Sequence, residues 1–234
     1  MLIFGTDTCC GAATAALMDD TRLIAQTVIN HDRTHSQKMM PQIEEMFALA
    51  ERDICDVDCF AAAVGPGSFT GVRIGVATVK ALAQAVNKPC VAVSTLHALA
   101  YNNALFSGIV CPILDARRNQ VYNALFRGGR ELNRLCNDRA LGIEELLAEL
   151  KAQESDVLFC GDGTLAFRDV IEEALGEKAV FAPIMQNLNL AAAVAELALL
   201  GKGETVSYEA LVPQYIRLSQ AERERLEKEQ EGRQ

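Results

Sequence analysis

One run of residues constrains this chain more than any other: Gly65-Pro66-Gly67-Ser68-Phe69-Thr70-Gly71-Val72-Arg73-Ile74-Gly75. It sits between an apolar stretch, Cys59 to Val64, and a helical pattern that continues to Val86. The pattern predicts a buried strand, a tight turn and a helix. Glycine permits backbone angles that a Cβ forbids. A Ser68 or Thr70 hydroxyl can cap the helix by accepting a first-turn N–H, and free N–H groups at such a turn can hold an anion. The run is not a Walker A loop, because no Gly-Lys-Ser/Thr follows. Nor is it a dinucleotide fingerprint, because Phe69 and Thr70 precede the third glycine. Two readings stay open: a plain strand-to-helix turn, or an anion or nucleotide contact through Gly67, Ser68 and Thr70 with Asp7 of the first strand.

The helix after the loop carries more information. Val72, Val76, Val79, Ala83 and Val86 form one apolar stripe, and Gly71, Ile74, Gly75, Thr78, Ala81, Leu82 and Ala85 lie beside it. Together they cover roughly 220°, against the ~100° that a surface helix needs. One face suits a sheet. The other, lined by small residues, admits a second helix, either of this chain or of a partner protein.

Half of the 234 residues are hydrophobic, enough for a sizeable core. No apolar run reaches the ~18 residues of a membrane span. The start, Met1 to Asp7, lacks a basic lead and reads as a strand rather than a signal peptide. The net charge of −9 argues against unaided binding of nucleic acid, which needs clustered Lys and Arg. Eight cysteines occur without a Cys-x-x-Cys, mostly in apolar runs. They read as small buried hydrophobes in a reducing cytoplasm.

Along the chain, strands are expected at residues 2–7, 12–18 and 23–29, then a helix from about Ser36 to Ala50. The Cys59–Val64 strand, the glycine loop and its helix come next, then a strand over Cys90–Val93 and a helix to about Asn103. Three antiparallel-capable strands and two right-handed crossovers describe a ribonuclease-H-like half, residues 1–105. A second half, 106–218, has strands near Val110–Asp115, Gln120–Arg127 and Val157–Cys160. Its helices are expected at Ile143–Lys151, Leu165–Leu175 and Leu190–Leu200. The charged stretch 219–234 has one large apolar residue, Leu226, and reads as a frayed or disordered tail.

No complete catalytic kit is legible. Asp7, Asp115 and Asp162 end strands, where they either cap turns or build a carboxylate cleft for a magnesium-bound phosphate. His31 and His35 have zinc-like spacing but no Glu beside the first His. His97 stands alone, and Ser68 is not in a nucleophile elbow.

Four segments, however, resemble one known family: Ile3 to Thr8, the glycine run, Leu114-Asp115-Ala116-Arg117-Arg118-Asn119-Gln120-Val121-Tyr122, and Pro213-Gln214-Tyr215-Ile216-Arg217. Together they are similar to the bacterial TsaB family, also called YeaZ. The resemblance implies an actin/Hsp70-like, ribonuclease-H-like α/β fold of two subdomains. It implies a cytoplasmic, non-catalytic subunit in threonylcarbamoylation of the adenosine next to the anticodon, in tRNAs reading codons that begin with A. The partner TsaD would carry the metal and the chemistry, the small ATPase TsaE would join the pair, and tRNA would be met only through the complex. It further implies a homodimer in isolation and no cofactor of its own, leaving ATP or ADP for the partner interface.

By this resemblance the first two helices carry the partner surface: Met39, Met40, Ile43 and Phe47 on the first, and Gly71, Ile74, Gly75, Thr78, Ala81, Leu82 and Ala85 on the second. Gly75→Arg is then expected to block the partner and spare the fold. The partner's metal-binding His-x3-His corresponds here to Thr95 and Leu99, neither of which replaces imidazole at iron or zinc. A metal-dependent peptidase and a small-molecule ATPase or kinase are the enzyme-class alternatives.

Overall fold

The computed structural model describes residues 1–31 and 35–217, His35 without its side chain. The first strand, β1 (Leu2–Asp7), pairs antiparallel with β2 (Ala12–Asp19), which pairs with β3 (Leu23–Asn30). After α1 (His35–Leu49), β4 (Cys59–Ala63) adds to β1 in parallel. All five β4 residues are buried, as expected of a central strand covered on both faces. Next come α2 (Phe69–Val86), β5 (Cys90–Val93), parallel to β4, and α3 (Thr95–Tyr101).

The second sheet begins with β6 (Ile109–Asp115) and β7 (Gln120–Asn123), followed by the short β8 (Phe126–Arg127), β9 (Asn133–Arg134) and β10 (Arg139–Gly142). After α4 (Ile143–Lys151) come β11 (Val157–Cys160), α5 (Gly163–Leu175) and β12 (Ala179–Phe181). The path β10-β7-β6-β11-β12 repeats the order β3-β2-β1-β4-β5. Last come α6 (Ala191–Leu199) and β13 (Glu204–Val206), which pairs with β5 at the edge of the first sheet. The chain is thus two ribonuclease-H-like halves of the actin/Hsp70 type.

Side-chain alternation shows how each sheet is covered. In β1, Phe4 meets Phe47 of α1 with ring centroids 5.6 Å apart. Its neighbour Gly5 points the other way, where an added Cβ would lie 2.8 Å from the Ala191 carbonyl and 3.0 Å from Ala195 Cβ. Helix α6 therefore lies on the face of the first sheet opposite α1. In β6, Ile109, Cys111 and Ile113 join the core of α4 and α5, whereas Val110 and Leu114 join Leu96, Leu99 and Ala100 of α3. The two halves have exchanged their last helices. Tyr101 Oη of α3 donates to Glu196 Oε1 of α6 at 3.0 Å where they meet.

Several expectations change accordingly. The stretch 106–218 is not one unit, because α6, β13 and the buried Leu211 belong to the first core. Gln120–Arg127 is two strands, β7 and β8, that pair with different parts of β6. Helix α1 starts at His35, one residue before the expected Ser36, and holds Pro41 in its second turn. The 219–234 tail lies outside the described residues.

Candidate functional site

Three glycines four residues apart, Gly67, Gly71 and Gly75, seat the β1–β2 turn of the same chain. Ser68 caps α2 by accepting the Gly71 N–H at 3.3 Å, and its own N–H donates to the Cys9 carbonyl at 2.7 Å. A Cβ on Gly67 would run into that carbonyl, and one on Gly71 into the carbonyl of Thr8. A Cβ on Gly75 would lie 2.5 Å from Thr8 Oγ1, which itself donates to the Gly71 carbonyl at 2.7 Å. The small residues let a helix approach a backbone turn. Asp7, fully buried, accepts the Cys9 N–H at 2.8 Å. Thr70 is exposed on the first turn of α2.

This turn forms one wall of a cleft of about 800 Å³ between the halves. Cys9, Cys10, Gly67 and Ser68 line one side, and Asp115, Arg117, Arg118 and Asp162 the other. Asp162 Oδ1 accepts the Asp115 N–H at 3.1 Å. The Asp115 carboxylate accepts the Arg117 N–H at 2.7 Å and pairs with its guanidinium at 3.3 Å. Arg117, Arg118 and Asn119 run consecutively through the left-handed region, with φ of 64°, 56° and 56°. Such a turn is strained for residues with a Cβ. Desolvation in the cleft lifts the Asp162 carboxyl above its ordinary range, although the residue as a whole is exposed. Burial, with Asp162 and Asp7 nearby, pushes the Cys10 thiol well up, so it stays protonated. The cations available to an anionic ligand here are Arg117, Arg118 and Arg217, and Arg217 Nη1 donates to the Ala116 carbonyl at 2.9 Å.

The C-terminal segment crosses back over α2. Lys80 Nζ donates to the carbonyls of Glu209 and Leu211 at 2.8 and 3.5 Å. The Gln214 N–H donates to the Val64 carbonyl at 2.7 Å, and Tyr215 stacks on Phe69 with centroids 4.6 Å apart. The sequence marks Arg73 and Lys80 as the polar side of α2. Their seven-residue spacing, two helical turns, was the available sign that one segment grips both.

A family model described as "TsaD: tRNA N6-adenosine threonylcarbamoyltransferase" matches residues 22–225. "tRNA threonylcarbamoyladenosine biosynthesis protein TsaB" of Bacillus subtilis (strain 168) is 35% identical over 224 residues, 95% of this chain and 96% of the relative. The chain belongs to the TsaB family. The TsaB of Escherichia coli (strain K12) is 27% identical, over 93% of this chain and 95% of its own. A solved structure, "YeaZ from Pseudomonas aeruginosa", superposes with a TM-score of 0.79 at 26% identity, covering 92% of this chain and 99% of that one. The TsaB match therefore spans both halves and the returning segment.

The surface expected to meet a TsaB partner is smaller than the sequence suggested. Gly71 and Gly75 are buried against Thr8, not open to another molecule. Met39, Ile43 and Phe47 lie in the chain's own core, because helical phase turns them with Met46 toward the sheet. Leu82 is half-buried against that core. What faces outward is Ala77, Ala81 and Ala85, with Ile74 and Thr78 half-buried beside them and Met40 on α1 at 40% exposure.

Thr95 and Leu99 are fully buried. His31 is exposed, and the side chain of His35 lies outside the described residues. His97 stacks on Phe126 at 5.3 Å. Among the described residues, no group of three or more His, Cys, Asp or Glu is placed to share a metal ion, and no helix is long and apolar enough to cross a membrane.

Proposed function

We propose that this chain is the non-catalytic partner subunit of the tRNA threonylcarbamoylation machinery, and that it docks on TsaD through the outer face of α2. One observation carries the reading. Ile74, Ala77, Thr78, Ala81 and Ala85 form a strip of small and apolar side chains two-thirds of the way along a helix whose other sides hold the sheet, the β1–β2 turn and the C-terminal segment. A small-residue helix surface admits close approach by a second helix. TsaE joins through this pair, and a homodimer in isolation uses the same strip. The net charge of −9 supports contact with tRNA through the complex rather than alone. Adenine nucleotide, where it binds, does so with the partner in place.

Ala81 is exposed, so Ala81→Arg leaves the fold intact and is expected to abolish co-purification with TsaD and lower tRNA modification in a reconstituted assay. Undiminished capture of TsaD by the folded variant rejects this surface. Full modification in the absence of the chain rejects the subunit role.

A further inference from the structure

The stretch 207–217 contains no helix or strand, yet it is tied to both halves. Lys80 of α2 holds its beginning through the Glu209 and Leu211 carbonyls. The Val64 carbonyl holds Gln214, and Phe69 of α2 holds the Tyr215 ring. Two residues further on, Arg217 reaches the second half and donates to the Ala116 carbonyl at 2.9 Å. The narrow gap beneath this end is lined by Gly67, Phe69 and Val72 of the first half and by Tyr122 of β7 in the second. The stretch is a strap laid across the junction.

The carbonyl that Arg217 holds opens the left-handed turn of Arg117, Arg118 and Asn119. Backbone strain of this kind persists only where the surroundings over-determine it. The Ala116 N–H donates to the Gln120 carbonyl at 2.9 Å, and the Gln120 N–H to the Arg117 carbonyl at 3.2 Å. The Asp115 carboxylate and the Ile143 N–H hold the turn from the second half. Among the described residues, Arg217 alone bonds it from the first half. The strap therefore helps to set where Arg117 and Arg118 stand at the rim of the cleft.

The other edge of the strap borders the exposed strip of α2. At 3.6 residues per turn, Ala77 and Ala81 lie roughly 40° and 80° round the helix from Arg73. A molecule seated on that strip meets the strap as well. A partner that fits only the closed strap favours the closed state by its difference in affinity for the two.

We propose that the strap couples the outer face of α2 to the cleft, with Arg217 as the positioning residue. Partner contact at Ala77 and Ala81 closes the strap, Arg217 tightens on the Ala116 carbonyl, and the arginine turn is fixed for an anionic ligand. This coupling rests on the docking face proposed above.

Amide hydrogen exchange of the isotope-labelled full chain, read by NMR, tests it in two arms. Rates at Ala116, Arg117 and Gln120 are taken relative to Gly161 on the opposite rim, whose N–H donates to Asn187 Oδ1 at 2.8 Å. In the isolated chain, Arg217→Gln should quicken the three about tenfold, the scale of one lost hydrogen bond to a charged group. Tyr215→Ala, which loosens the strap at α2, should quicken the same three about threefold. An unchanged ratio in either variant overturns the coupling. In the second arm TsaD is added to saturation, and the three amides should slow in the unaltered chain but not in Arg217→Gln. Equal slowing in both means that the partner covers the turn directly, and no slowing in a chain that captures TsaD means that the strap transmits nothing. Either result overturns the proposal. Failure of TsaD to bind rejects the docking face and the coupling with it, while the first arm still decides whether Arg217 sets the turn.

Discussion

Arg73 Nε donates to the hydroxyl of Tyr215 at 2.7 Å, joining α2 to a segment 142 residues further along. The Tyr215 ring stacks on Phe69, one helical turn earlier, and the Arg73 guanidinium lies 5.6 Å from the ring centroid. The side of α2 that reads as solvent-facing in the sequence is therefore a berth for the returning chain.

Tyr215→Ala removes a stacking contact and a hydrogen bond. It should lower unfolding free energy by about 1–2 kcal/mol, an amount limited by the partial exposure of the ring. Tyr215→Phe keeps the stack and should fall between the two. Denaturant midpoints measure this, and protease cleavage between residues 207 and 217 should quicken in the Ala variant.

The fit of Thr8 against the α2 glycines makes a coupled prediction. Gly75→Ala places a methyl 2.5 Å from Thr8 Oγ1 and should destabilise by about 1–3 kcal/mol. Thr8→Ala should cost about 1 kcal/mol for its bond to the Gly71 carbonyl. The double variant should be less damaged than the sum, which a double-mutant cycle reads. Gly71→Ala meets a backbone carbonyl that cannot move aside, so no side-chain change should rescue it. Gly75→Arg drives a long charged side chain into the buried contact with Thr8, so it should unfold the protein instead of acting as a clean block to a partner.

His97 supplies a pH dependence. Its folded pKa of about 4 lies below the ordinary 6.5, mainly through desolvation and then through Arg134. The unfolded chain takes up the proton first as pH falls. The neutral ring's contribution is therefore whole above pH 6.5 and is lost between pH 6.5 and 4, on the order of 2–3 kcal/mol. His97→Gln should flatten the stability profile in that window, and direct NMR titration of the imidazole should find its midpoint near 4.

The isolated chain should bind ATP more weakly than about 1 mM, less than ~4 kcal/mol of binding free energy. The amides of Ser68 and Cys9, which would face a phosphate, already donate to Cys9 O and Asp7 Oδ1. Calorimetry of the chain alone, then with TsaD, measures the difference.

Much of this was readable from residue order. The strand, glycine loop and α2 follow from apolar runs and turn chemistry, and the twofold pattern of strands and helices marks both halves. The exchange of α3 and α6 was not readable. The apolar Ala191-Ala-Ala-Val-Ala-Glu-Leu-Ala-Leu has little polar face, so its phase does not say which sheet it covers. Nor could β13 be seen, since Glu204-Thr-Val has only half-buried Val206 to mark it as an edge strand. The glycines of α2 announced a close approach but not its object. Periodicity gives a face, and only the tertiary path says whether that face meets β1–β2 or another molecule. The Met-rich face of α1 illustrates the same limit, since a core stripe and a docking stripe share one spacing.

The crossing of α3 and α6 governs how such a chain can be made. A nascent polypeptide has every strand of the first sheet except its edge long before Ala191 leaves the ribosome, yet one face of that sheet stays bare until then. Residues of β1 and of α6, far apart in the chain, must meet before the first half is sealed, which delays its completion until α6 has been made. Truncation just before Ala191 should therefore yield an aggregating fragment, not a smaller working domain.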